Sequence, residues 1–91
     1  MIFEWDPRKA AANLKKHSVG FPEAATIFLD GLAWTFPDPD HSGTEGRFVT
    51  IGLSSRGRII VVAHAERGDG IRIISARKAT RRETDGYTEN P

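Results

Sequence analysis

Apolar and polar positions along this chain change rhythm from helix-like in the first third to strand-like in the middle. "IFEW" (2–5) reads as a short strand. Asp6 and Pro7 then supply an N-cap and a first helical residue. The good helix formers of "RKAAANLKKH" that follow predict a helix of about ten residues. "HSVGF" interrupts it, and Pro22 opens a second helix, "PEAATIFL", which Asp30-Gly31 should end with Gly31 as a left-handed cap. "LAWTF" (32–36) is a predicted strand, and "PDPDHSGTEG" (37–46) has the Pro, Gly and Asp density of a loop. Three β-rich runs follow: "RFVTIGL" (47–53), "RIIVVAHAE" (58–66) and "IRIISARK" (71–78). The links "SSRG" and "RGDG" have the length and glycines of hairpin turns, so the runs should form an antiparallel meander. Thr80, with Glu83 three residues on, makes a capping-box pattern for a short last helix that Gly86 weakens. The order β-α-α-β-β-β-β-α implies one α+β domain over residues 1–91, with its helices packed on one face of an antiparallel sheet.

Strand alternation then assigns side chains to faces. If the "RGDG" turn pairs Glu66 with Ile71, His64 faces Ile73, Val62 faces Ser75 and Ile60 faces Arg77. One face would carry Ala65, Ala63 and Val61 with Arg72, Ile74 and Ala76. The other would carry Glu66, His64 and Val62 with Ile73, Ser75 and Arg77. A slip of one residue exchanges the faces.

Composition narrows the classes. The chain has 91 residues, 38% hydrophobic and 27% charged, which suits one globular domain. It has no Cys, which excludes disulfides, thiolate zinc sites and cysteine nucleophiles. The N-terminus lacks a signal-peptide pattern, and no run approaches a membrane span, so a cytoplasmic protein without membrane contact is expected. Net charge is only +1, but it is uneven. Residues 71–83 hold Arg72, Arg77, Lys78, Arg81 and Arg82 ahead of Glu83. Arg offers two parallel donors to one phosphate, so a polyanion would meet a local patch here.

Two blocks, "FEWDPRKAAANLKKHSVGFPEA" (3–24) and "RIISARKATRRETDGY" (72–87), together resemble the BrnT toxins. The resemblance covers nearly the whole chain. It implies a RelE-like fold and the toxin of a type II toxin–antitoxin module, an endoribonuclease that halts translation and growth. It further implies a BrnA-type antitoxin as partner, with operator DNA met only through the antitoxin complex. A homodimer, or a heterotetramer with the antitoxin, is compatible with it.

Metal-independent RNA cleavage needs a base for the 2′-OH, an acid for the leaving 5′-oxygen, and cations for the charge on phosphorus. On the predicted faces, Arg77 is the phosphate ligand, His64 the acid or base, and Glu66 the base or the group that orients His64. A salt bridge from Arg77 to Glu66 or Glu83 is the structural alternative. Arg72, Lys78, Arg81 and Arg82 would bind RNA, although Arg72 could instead pair with Glu4 or Asp6. Lys15, Lys16 and His17 suit the negative end of the first helix, and the resemblance adds RNA binding to that role. Tyr87 is a candidate acid or stacking platform. Asp38, Asp40 and His41 read as solvated loop residues rather than a metal site, and no cofactor is expected. Ser75, in mid-strand, lacks the sharp turn a serine nucleophile needs. The rival reading is a nucleic-acid-binding or regulatory module that uses the same basic rim without chemistry.

Overall fold

The structure, a computed structural model, describes residues 1–41 and 46–89. Strand β1 (Ile2–Glu4) leads into α1 (Pro7–His17) and α2 (Phe21–Thr26), which a 3-10 turn (Ile27–Leu29) extends. Strands β2 (Trp34–Pro37), β3 (Arg47–Leu53), β4 (Ile59–Arg67) and β5 (Gly70–Lys78) follow, and α3 (Arg81–Glu89) completes the described chain. Local chemistry explains the boundaries. Asp6 caps α1 by accepting from the Arg8 N–H at 2.8 Å, with Pro7 in its first turn. The left-handed residue that ends α1 is Ser18 (φ 60°). Asp30 ends the 3-10 turn in an extended conformation, and Gly31 has no positive φ, so the predicted glycine cap does not form. The capping box does form: Thr80 N–H donates to Glu83 Oε1 at 2.9 Å, and Glu83 N–H to Thr80 Oγ1 at 3.2 Å.

The sheet runs β1-β5-β4-β3-β2. The meander from β2 to β5 is antiparallel, and β1 adds in parallel beside the start of β5. A Cβ at Gly70 would lie 2.5 Å from the Ile2 carbonyl oxygen, so only glycine lets β1 approach this closely.

The β4–β5 register departs from simple alternation. Glu66 faces Ile71 and His64 faces Ile73, as expected, but Ala63 then faces Ser75, Val62 faces Ala76 and Val61 faces Arg77. Ile74 is an extra residue, a bulge on β5. Beyond it the strand presents opposite parity. Arg72, Ser75 and Arg77 therefore share one face with Ala65, Ala63 and Val61, while His64 and Ile73 share the other. The expected pairing of His64 and Arg77 on one face is overturned by this single inserted residue.

The helices do not all lie on one face. Phe21, Ala24 and Ile27, together with Val19 of the α1–α2 link, pack on Ile60, Val62, Ile73 and Ala76 to form the core. We call this the inner face. On the outer face α3 lies across Trp34, Phe36 and Ile51.

Three polar anchors hold the inner layer. The Asn13 amide donates to Ala76 O (2.8 Å) and Val19 O (3.0 Å) and accepts from Ala76 N–H (3.1 Å). It so satisfies both backbone groups of Ala76, on the part of β5 beyond the reach of β1. Buried Glu23 accepts from Arg58 Nε at 2.9 Å, from a second Arg58 nitrogen, and from Ser54 Oγ at 2.7 Å. These bonds hold its carboxyl below the usual range despite burial. His64 makes the third anchor, as part of a buried hydroxyl chain.

Candidate nucleic-acid interface

Arg77 sits on the outer face near the end of β5, its side chain 42% exposed. Its two terminal nitrogens donate to the two oxygens of Glu83 at 2.7 and 2.9 Å, a fork-on-fork pair set by the α3 capping box. Hydrogen bonding to Arg77 drives the Glu83 carboxyl down to about 2, and burial and the Thr80 bonds adjust it further. The same partner raises the guanidinium. Around this pair lies a cleft of about 280 Å³, lined also by Phe36, Asp38, Asp40, Val61, Ala63 and Ser75. The salt bridge foreseen as the alternative for Arg77 is thus present, with Glu83 as the partner. It also shows that the fork is aimed into a cleft and already holds an oxyanion.

A second cleft of about 250 Å³ lies between α1 and the open edge of β5, lined by Lys9, Ala12, Asn13, Lys16, His17, Ile74 and Ser75. Helical spacing explains its cations, since Lys9, Lys16 and the Asn13 anchor fall on one stripe of α1. Docking of Asn13 on Ala76 presses that stripe against β5. Ser75 borders both clefts. Lys16 and His17 therefore connect to Arg77 across one exposed residue. Lys15 is exposed and does not line this cleft. Arg81 and Arg82 occupy the exposed first turn of α3, beside Arg77 in sequence, and make no hydrogen bond or ion pair among the described residues. Cations oppose the dipole at a helix start, so their position there has no benefit for α3 itself. Lys78 is exposed and faces Ile60 on the inner side.

The remaining candidates fall elsewhere. His64 is 4% exposed and packs edge-on against Phe28, with ring centroids 4.9 Å apart. Its Nε2 lies 2.7 Å from Thr50 Oγ1, which lies 2.7 Å from Thr35 Oγ1, and its Nδ1 has no partner. We assign the proton to Nε2, because a buried bare lone pair costs less than an orphaned N–H. Burial pushes the imidazole down to about 4. A neutral ring sealed under Phe28 meets no sugar–phosphate chain in this conformation. Glu66 is exposed near the other end of β4, five residues from the partner of Arg77 and so about 17 Å away along the strand. It orients neither His64 nor Arg77. Arg72 donates to Glu4 at 2.9 Å, the scaffold role weighed for it. Tyr87 donates to Asp30, whose carboxylate raises the phenol to about 12. Burial raises the Asp30 carboxyl, but the Tyr87, Leu53 and Leu32 bonds outweigh it and the net shift is downward. Among the described residues no three His, Asp or Glu side chains form a metal cluster, and the His41 side chain lies outside the described residues.

Sequence reasoning missed Lys9, the bridging position of Ser75, and the outer-face pair Trp34 and Phe36. The last had a signal: both flank Thr35 in "LAWTF", so alternation alone places them on one face.

By its fold, this is a small α+β domain similar to a known ribonuclease toxin. The crystal structure of the Brucella abortus ribonuclease toxin BrnT, solved at 1.1 Å resolution, matches with a TM-score of 0.68 and 25% identity over 89% of this chain and 100% of that one. The chain belongs to the family described as "Ribonuclease toxin, BrnT, of type II toxin-antitoxin system", whose profile matches residues 5–83. Membership implies an antitoxin partner. A search of curated proteins gave no match. Among the described residues no helix is long and apolar enough to cross a membrane.

Proposed function

We propose that this chain is a cytoplasmic endoribonuclease that cuts RNA on the strip running from Lys16 and His17 across Ser75 to Arg77. The observation that carries the reading is the position of Ser75, which borders both the α1 cleft and the Arg77 cleft. A strand laid along that strip places a phosphate against Arg77, whose planar fork matches two of its oxygens. Lys9 and Lys16 neutralise the neighbouring phosphates. His17 replaces His64 as the proton-transfer group, since it is half-buried and borders the strip, while His64 is sealed. Asp40, which also lines the Arg77 cleft, is the carboxylate to which this reading gives the 2′-OH proton. Arg81 and Arg82 extend the phosphate track. This donor set supplies charge and proton transfer without a metal ion.

Purified protein should cut single-stranded RNA in EDTA, and Arg77→Ala and His17→Ala should each suppress that cutting. Wild-type rates in both variants would reject the site; cutting only after magnesium is restored would reject metal independence. The partner on this reading is a BrnA-type antitoxin that covers the basic strip and links the pair to operator DNA as a heterotetramer. A complex leaving Arg77 and Lys16 open would contradict this.

One observation favours a second reading. Both terminal nitrogens of Arg77 are engaged by Glu83, which suits a binding module that holds phosphates through Lys16, Arg81 and Arg82 alone. That module would bind RNA with strong salt dependence and leave it intact.

A further inference from the structure

The outer face carries an apolar trough with no role in the reading above. It encloses about 270 Å³ between the sheet and α3, and Trp34, Phe36, Ile51, Glu83, Gly86 and Tyr87 line it. Trp34 remains 41% exposed there despite the helix above it. Two of the lining residues, Phe36 and Glu83, also line the cleft that holds Arg77. Trough and phosphate fork are therefore neighbours that share a wall.

Gly86 supplies an independent observation. It lies in the interior of α3, where glycine is less favourable than alanine by about 1 kcal/mol. Its φ is not positive, and a Cβ built there meets no heavy atom within 4 Å. Neither backbone conformation nor internal packing requires a glycine. Gly86 lines the trough, and a side chain there would start from open space.

We propose that the trough is a nucleobase subsite, which holds the base of a nucleotide whose phosphate lies against Arg77. The inference rests on the ribonuclease reading and adds to it the part of the substrate that is not phosphate. An aromatic-walled apolar slot of this size suits one flat ring system, since every base presents a π-face and stacking needs no fixed hydrogen-bond partner. Its adjacency to a phosphate fork selects a nucleotide over a purely apolar ligand. Single-stranded RNA is the form whose bases are free to leave the stack and enter.

The test uses short 2′-O-methyl oligonucleotides, which lack the attacking hydroxyl, alongside counterparts made abasic at each position in turn. With wild-type protein, removing the base at one position should weaken binding at least about fivefold, the low end for a stacked base. Gly86→Leu fills the trough while improving helix propensity, so it should melt at or above the wild-type temperature. It should bind the intact and abasic oligonucleotides alike, with an unchanged salt slope. Trp34→Leu, which keeps apolar bulk but loses the large ring, should give the same loss and guards against misfolding of the first variant. If both variants keep the base-dependent difference, the subsite is refuted while the ribonuclease reading stands. If Gly86→Leu spares that difference and instead abolishes antitoxin binding, the occupant is a polypeptide and the proposal is overturned. If no oligonucleotide binds wild-type protein at low salt, the ribonuclease reading falls and the subsite with it.

Discussion

The two faces of strands β4 and β5 carry similar residue types to different ends. On the inner face a histidine is neutral, linked to two threonine hydroxyls and packed under Phe28. On the outer face an arginine three strand positions past the bulge stays charged and meets a cleft. Burial decides this: the inner group loses its charge to desolvation, while the outer one keeps its charge because a carboxylate answers it. A polar residue in a strand is thus a stabilising group or a candidate reactive one according to the side of the sheet it takes. Here one bulged residue makes that choice.

Substitutions can separate the faces. The largest effect belongs outside: Arg77→Ala should lower RNA cleavage about 10²–10³-fold, the scale of losing one charge-stabilising donor. Its cost to urea-unfolding stability should stay within about 1 kcal/mol, as for a half-exposed pair. Equal losses in both assays would erase the distinction between the faces. Next comes pH on the inner face. The folded pKa of His64 lies near 4, below the unfolded value of about 6.5. Between those values the unfolded chain binds more protons, so stability is complete above about 6.5 and falls as pH drops towards 4. The fall should reach about 3 kcal/mol and vanish in His64→Leu. Glu83, held near 2 in the folded state, should add a separate loss below about 4.5 that His64→Leu leaves in place. Asn13→Ala strands the Ala76 N–H and two carbonyls, and should cost about 2 kcal/mol by denaturant titration. The smallest effect is Tyr87→Phe, which frees one bond of α3 to Asp30 and should cost about 1 kcal/mol.

Much of the fold was legible because local signals agreed with one another. Asp6-Pro7, the Thr80/Glu83 box and the two glycine turns each mark a boundary that the structure keeps. Faces were harder to read. Alternation assumes an unbroken period of two, and nothing in "IRIISARK" marks Ile74 as the residue that breaks it. The bulge separates the part of β5 that pairs with β1 from the part that Asn13 of α1 anchors, and both of those contacts are tertiary information. Arg77 was legible as a cation with a carboxylate partner, and its face was not. Nor could the chain disclose that Asn13 reaches Ala76, since that contact spans 63 positions.

That contact has a consequence for association between molecules. An open strand edge recruits strands from other chains, and sheets grow into aggregates along it. By spending its amide on both backbone groups of Ala76, Asn13 occupies one rung of the β5 rim that a foreign strand would otherwise take. At the opposite rim β2 is four residues long and ends in Pro37, which has no N–H to offer. A protein fenced in this way is guarded against lateral polymerisation along those two rims.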